Sequence, residues 1–427
     1  MQFYTYSLDV FYKNPYSSIT TIRKNKTLNS REIGMKILIY RYGSICEPDI
    51  VSAFQKAGLE VIEETTEISQ KKISDAERVQ LVEQVLQNDR PLFVFSINFY
   101  PVIADICQIY KIPYLCWTVD SPVPELFSQS ICHNTNHIFL FDYAQYQQFS
   151  PYNPTGVHYL PLAANTERFQ MATENITPDE RSKFSCDISF VGSLYHEKNP
   201  YLQLQGLSEY TKGYVNALVE ASLKIYGSNV IEASLSEKIV EDIKKSADTF
   251  YTPAKTVANS DTYIAAHSYI GIQVTETERI RTLNMLAQFF NIDLFTRSDT
   301  SMLQGVHVHG GVQTLTEMPK IFRLSKINLN MTTKPIQTGL PLRIFDILGC
   351  GGFLMTNYQA ELPEYFEIGV DIEAYSSMEE LVDKCDYYLK HEDERIRIAQ
   401  NGYRKVCESH TYSHRIAEML KHLSNGI

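Results

Sequence analysis

The sequence predicts an α/β protein made of two successive domains, each built on a parallel sheet. Three observations carry this. The chain has 427 residues, more than one hydrophobic core normally serves. From Met35 onward, short runs rich in β-branched and aromatic residues alternate with longer amphipathic segments, the pattern of strands joined by crossover helices. Midway, after Pro161-Leu162-Ala163-Ala164-Asn165, a polar stretch to about Lys183 interrupts the alternation, which restarts at Asp187.

In the first domain, residues 35–165, the strands are read at Lys36–Tyr40, Leu59–Glu63, Leu92–Ser96, Pro113–Val119, His137–Phe141 and Val157–Leu160. Runs this uniformly apolar suit strands buried on both faces. Ser74–Gln87 places Val79, Val82, Val85 and Leu86 on one helical face, and Val102–Tyr110 reads as a helix that stops before Pro113. The second domain, residues 166–410, opens with the strand Asp187–Val191 and the turn Gly192-Ser193. Residues 200–290 carry mostly helical patterns and are read as an insertion. The sheet pattern resumes at Ile292–Thr296, Gly305–His309, Lys326–Met331, Gly352–Thr356 and Asp371–Tyr375. Ser377-Met378-Glu379-Glu380 is a capping box that opens a helix, a further helix covers 392–408, and residues 411–427 form a last one. Residues 1–34 stand apart as an extension whose Lys13, Arg23, Lys24, Lys26 and Arg31 face only Asp9 up to position 31, which reads as a solvated tail.

Composition narrows the function. The net charge of −11 gives no footprint for nucleic acid. The eight cysteines are scattered, with no C-x-x-C pair, and read as reduced thiols. No apolar run reaches the roughly 20 residues that span a bilayer, and the N-terminus lacks a signal-peptide core, so a cytoplasmic protein is expected. The first strand is not followed by G-x-G-x-x-G, which argues against a dinucleotide oxidoreductase.

The most informative stretch is the strand Ser325–Met331 with the loop and helix that follow, Gly339-Leu340-Pro341-Leu342-Arg343-Ile344-Phe345-Asp346. Proline in the first turn favours a clean helix start, whose free N–H groups and positive dipole end attract an anion such as a diphosphate. Arg343 and Asp346 lie three apart on one face. Arg343 suits a departing diphosphate and Asp346 the hydroxyls of a ribose; alone, the pair is also an ordinary surface contact worth about 0.3 kcal/mol. Its place at the carboxyl end of a parallel strand favours the ligand reading. Gly192 and Ser193 form a turn that lets backbone approach phosphates, and Lys198, Asn330, Gly339 and Leu340 complete the expected donor contacts. His307 and His309 alternate on a strand without a third ligand, so they read as loop structure rather than a metal site. Asp371-Ile372-Glu373 has D-x-D-like spacing but reads as solvated carboxylates, so no metal is expected.

The run Leu342-Arg343-Ile344-Phe345-Asp346-Ile347-Leu348-Gly349-Cys350-Gly351-Gly352, with Glu317-Met318-Pro319, Asn357-Tyr358-Gln359-Ala360-Glu361-Leu362 and His410-Thr411-Tyr412-Ser413-His414-Arg415, resembles the C-terminal domain of the CgeB-like (spore-maturation-protein-like) glycosyltransferases. Tyr40–Asp49, Phe95–Phe99 and Trp117–Pro122 resemble the N-terminal domain that accompanies it. The resemblance covers most of residues 35–425. It implies a GT-B fold, two Rossmann-like domains facing a cleft, with a nucleotide-sugar donor in the second domain and a protein acceptor such as flagellin, or a glycan, over the first. It implies no cofactor. Retaining enzymes of this architecture often carry two glutamates eight residues apart; here Asp346 holds the second position and Thr338 the first, so the pattern does not assign a retaining outcome.

Glu47, after the first strand, and Asp120, after the fourth, lie at the carboxyl edge that faces the cleft, and either suits a general base. Each also suits a helix start: Glu47-Pro48-Asp49 as an acidic first turn, Asp120-Ser121-Pro122 as a cap. Two further functions share the architecture: a nucleotide-sugar epimerase or hydrolase, and a non-catalytic sugar-nucleotide-binding scaffold. The helical insertion offers a surface for the acceptor or for a homo-oligomer.

Overall fold

A computed structural model describes residues 35–425; the basic N-terminal extension lies outside the described residues. The first lobe holds a parallel six-stranded sheet of β1 (Lys36–Tyr40), β2 (Glu60–Glu64), β3 (Val94–Ile97), β4 (Tyr114–Trp117), β5 (Asn136–Leu140) and β6 (Val157–Tyr159), in the order β2-β1-β3-β4-β5-β6. Its crossovers include α1 (Glu47–Lys56), α2 (Asp75–Asp89), α3 (Pro101–Tyr110) and α4 (Tyr143–Phe149). Inner strands such as β3 and β4 are buried at every position, as their unbroken apolar runs require. Edge strand β2 turns glutamates outward, which discourages pairing with another chain. A capping box opens α2: Ser74 Oγ accepts the Glu77 N–H, and Glu77 accepts the Ser74 N–H at 2.6 Å.

Two short helices, α5 (Thr166–Glu174) and α6 (Pro178–Phe184), lead to the second lobe. Its sheet comprises β7 (Ile188–Val191), β8 (Ile292–Phe295), β9 (His307–Val308), β10 (Ile327–Asn330), β11 (Leu354–Asn357) and β12 (Glu373–Tyr375), again all parallel, in the order β12-β11-β10-β7-β8-β9. Between β7 and β8 the chain forms α7 (Glu209–Ser222), α8 (Glu237–Ser246) and α9 (Gly271–Leu286). The last of these is the crossover helix of the lobe, since Leu283 and Leu286 belong to the core that also contains Phe190 and Leu329. The insertion therefore ends before α9 and is shorter than the helical pattern suggests. Part of it clamps the first lobe, where Thr256 bridges Ser128 antiparallel and the Val257 N–H donates to the Phe127 carbonyl.

The lobe is completed by α10 (Met318–Leu324), α11 (Leu342–Gly349), α12 (Met378–Lys390), α13 (Glu392–Ser409) and α14 (Tyr412–Asn425). At the start of α12, Ser377 Oγ accepts the Glu380 N–H, but Glu380 reaches back to the N–H of Ser376 rather than Ser377. Helix α14 crosses back to the first lobe: Ala164 pairs with Thr411, Tyr412 stands edge-on to Trp117 at 5.9 Å, and buried Arg415 donates to the carbonyls of Pro161 and Leu162. No helix among the described residues is long and apolar enough to cross a membrane.

Candidate functional site

In an open parallel sheet, ligands bind at the carboxyl ends of the strands where the strand order reverses, because the crossovers on either side leave in opposite directions and open a crevice. The second lobe reverses between β7 and β10, the first between β1 and β3. The carboxyl ends of the two sheets meet through the loops that follow their strands. Ser121, after β4, donates its hydroxyl to the Pro335 carbonyl at 2.7 Å, and Asp142, after β5, accepts the N–H groups of Gln337 and Thr338. Gly339 permits this approach, since a Cβ there would lie 2.8 Å from Asp142 Cα.

At the second-lobe reversal stands Arg279 of α9, 8% exposed. Its guanidinium donates to the carbonyls of Ser193, just past β7, and Met331, just past β10, both at 2.6 Å. The rings of Phe190 and Tyr195 flank it at 5.3 and 4.9 Å. Its Nε has no partner among the described residues, and burial depresses its pKa despite nearby Glu278. A buried guanidinium whose hydrogen bonds go only to carbonyl oxygens, with Glu278 near it but not bonded to it, is under-compensated, a costly state that a ligand anion would relieve. Sequence reading missed this residue. Helix α9 is packed on several sides, so it shows no clean polar face, and Arg279 sits among Thr275, Glu276, Glu278 and Arg281 as though in a solvated charge run.

Arg343, on the second residue of α11, lies close enough to Arg279 to add to that depression of its pKa. It rests on Met318, stacks over the Phe322 ring at 5.1 Å, and donates to Asp346 Oδ2 at 3.3 Å. Burial pushes the Asp346 carboxyl up to about 6, Arg343 and Arg168 opposing and Asp49 adding to the shift. Pro341 caps α11 with no side chain satisfying the first turn; the Ile344 N–H donates to the Pro341 carbonyl, which leaves those of Leu342 and Arg343 available to an anion. Arg343 and Asp346 thus share one environment and are brought together as the spacing predicts.

The other expected donor contacts divide. Gly192 and Ser193 lie at the β7 turn beside Arg279, and Ser193 Oγ accepts the Tyr195 N–H. Lys198 is exposed, 5.9 Å from the Tyr195 ring, with no acidic partner among the described residues. Asn330 and Leu340 are buried and structural in their contacts: the Asn330 amide donates to the hydroxyls of Thr332 and Thr356, tying β10 to β11. His309 binds Asp293 and stacks on Phe295. Asp371 accepts from Lys405, and Glu373 pairs with Lys384 and Tyr388.

At the first-lobe reversal, Glu47 and Asp120 have different fates. Glu47 is 1% exposed, and its carboxylate accepts the N–H groups of Tyr42 and Gly43 and the Arg41 Nε–H at 2.9 to 3.1 Å. It holds the β1–α1 loop, and its lone pairs are occupied. Asp120 is exposed; Asn98 donates to its Oδ2 at 2.7 Å and to the Tyr42 hydroxyl at 3.1 Å. Asn98 adopts φ 58°, a left-handed conformation that asparagine tolerates better than most residues, and its Oδ1 accepts the Val119 N–H. Cys46, buried beneath, senses both Asp120 and Asp346, so carboxylates from the two lobes approach one thiol.

Residues 281–421 match a family model described as "Glycosyl transferase-like". No curated protein matches the chain. Among solved structures, sucrose-phosphate synthase from Thermosynechococcus elongatus aligns over 91% of this chain and 99% of its own at 10% identity, with a TM-score of 0.51. The UDP-forming α,α-trehalose-phosphate synthase of Burkholderia xenovorans aligns over 91% and 99% at 11% identity, with a TM-score of 0.50. At such identities the likeness is one of fold. The chain has the GT-B fold found in glycosyltransferases, and its segment 281–421, which contains α11 and the strands on either side of it, is glycosyl transferase-like.

Proposed function

We propose that this protein is a glycosyltransferase, of the CgeB-like kind its motifs resemble, which moves a sugar from a nucleoside-diphosphate sugar to an acceptor hydroxyl on a protein or glycan. The observation that carries this reading is the buried guanidinium of Arg279 at the strand reversal, hydrogen-bonded only to carbonyl oxygens, with Arg343 and the start of α11, which no side chain caps, beside it. Two guanidiniums and a helix tip offer a diphosphate the charge compensation that a divalent ion supplies elsewhere, so the transfer needs no metal. Asp346 accepts from the ribose hydroxyls. Asp120, held by Asn98, removes the proton from the acceptor hydroxyl as it attacks the anomeric carbon. Ser121 links the Asp120 loop directly to the loop that enters α11, which keeps base and leaving group on one cleft.

The acceptor enters along a groove of about 930 Å³ between the first lobe and the inserted segment, lined by Asp75, Asp105, His133, Tyr152 and Tyr251. Pro101 and Val102, at the start of the helix that follows β3, are among its lining. Exposed tyrosine and carboxylates suit a hydroxyl-rich chain.

Thermal shift against UDP-, GDP-, ADP- and dTDP-sugars tests the donor reading, since a ligand bound only by the folded state raises its melting temperature by mass action. At least one is expected to stabilise the protein, and to release its nucleoside diphosphate only with an acceptor present and undiminished in EDTA. No shift with any of them would discard the reading.

A further inference from the structure

We propose that His196, held by Glu276, is a proton-dependent clamp on the distal phosphate of the nucleotide, the one that carries the sugar in the donor and is terminal in the leaving nucleoside diphosphate, an inference that rests on the donor site proposed above. His196 follows the β7 turn. Its Nδ1 meets Glu276 Oε1 at 2.6 Å, and its Nε2 has no partner among the described residues, on a ring that is 40% exposed. Glu276 is 6% exposed and lies one helical turn from Arg279 on α9, hence on the same face. Its second oxygen accepts from Asn199, so the carboxylate is fixed between the two loop residues and orients the imidazole.

The backbone reinforces this placement. Tyr195 adopts φ 72°, a left-handed conformation that a bulky aromatic residue rarely takes and that costs of order 1 kcal/mol. The kink does two things: it lays the Tyr195 ring against the Arg279 guanidinium, and it turns the next residue, His196, back onto Glu276. The groups facing the imidazole are Glu276 from α9, Glu197 from its own turn and Asp299 from the loop after β8; all three favour the imidazolium, and Glu276 dominates. The charged ring then stands one residue from a contact of Arg279, with its free N–H available to a phosphate oxygen. Unlike the two arginines, this cation is lost as pH rises past its pKa.

The experiment is titration calorimetry with UDP, GDP and ADP at pH 8 in buffers of different ionisation enthalpy, which counts protons taken up on binding. A phosphate of this kind is fully ionised at pH 8, its second pKa being about 6, so uptake reports on the protein. Wild type is expected to take up a substantial fraction of one proton, and its affinity to weaken by up to about tenfold per pH unit above the pKa of His196. His196→Gln should bind with no uptake, and Glu276→Gln should move the pH dependence downward, which a residue that only shapes the loop would not do. Binding without uptake in wild type, or equal uptake in His196→Gln, would overturn the clamp and leave the donor site standing. Failure of every nucleotide to bind wild type would overturn both.

Discussion

The Asp142 carboxylate of the first lobe accepts both the N–H and the hydroxyl of Thr338 in the second, the hydroxyl at 2.9 Å. It also accepts the Gln337 N–H at 2.6 Å and caps the next helix of its own lobe through the Ala144 N–H. Thr338 is bonded in turn to Glu361, which receives the Tyr143 N–H and the Tyr159 hydroxyl. Thr338 therefore serves as a joint between the lobes. Asp142→Ala should leave two loop amides without their acceptor, at about 1–3 kcal/mol each where they stay buried. We expect a lower urea midpoint and a larger radius of gyration in solution scattering, with Asp142→Asn intermediate. An unchanged radius in the alanine variant would show that the lobes are held together by other contacts.

Much of this architecture was legible in the sequence, and the reason is physical. Parallel strands buried on both faces need apolar runs, so inner strands such as β3, β4 and β7 announce themselves; the partly exposed β2 and the exposed β9 were legible from their place in the alternation, and all strands fall within a few residues of the reading at each end. The α11 start was legible because Pro341 and the Arg343–Asp346 spacing are local. What depends on three dimensions was hidden. The α9 pattern reads as an insertion because nothing local distinguishes a crossover helix from one that decorates a surface. Glu47 and Asp120 look alike as acidic residues after strands, and only the donors that close on Glu47 separate them. Asp142 and Thr338 are 196 residues apart, and no spacing rule links them.

On the proposed function, the two arginines should make separable contributions to donor binding. Arg279→Ala removes a buried cation and the tie between Ser193 and Met331, so both nucleotide affinity and stability should fall. Arg343→Ala removes a cation that is 23% exposed, packed on Phe322 and paired with Asp346, and should weaken binding by roughly 1.5–3 kcal/mol, about ten- to a hundredfold and more, with a smaller loss of stability than Arg279→Ala. Arg279→Lys should not rescue, because one ammonium cannot span two carbonyls in the geometry of a planar fork. Calorimetry with nucleoside diphosphates checks all three; wild-type affinity in both alanine variants would exclude the site.

Asp120→Asn and Glu47→Gln should fail in different ways. The first keeps an oxygen for Asn98 but cannot take a proton, so turnover should drop by two to four orders of magnitude, in the range of about 10²–10⁴ for general-base loss, with donor affinity and melting temperature retained. The second weakens a charge-assisted anchor for two amides and Arg41, so stability should fall. Paired measurements of turnover and unfolding on the purified variants distinguish these outcomes. Full activity in Asp120→Asn would remove the base assignment.

On the proposed function, Asp346 should link donor binding to stability through its protonation. Its folded-state pKa of about 6 stands above the 3.8 of an unperturbed aspartate because burial disfavours the carboxylate more than Arg343 and Arg168 favour it. Between these values the folded protein binds more proton than the unfolded chain, so the contribution of this residue to stability is greatest below pH 4, falls as pH rises through 4 to 6, and is flat above. The difference between the two pKa values corresponds to about 3 kcal/mol, which sets the scale of the effect. Asp346→Asn does not titrate and should lack this decline, so the gap between the stability curves of wild type and variant, taken from urea unfolding at pH values from 4 to 7, should change with pH only in that window. Ribose hydroxyls that donate to the carboxylate would lower its pKa, so nucleotide binding near pH 6 should release protons in wild type and release fewer in Asp346→Asn. Parallel stability curves would mean that Asp346 is better solvated than its packing against Arg343 indicates, and equal proton release would place the ribose elsewhere.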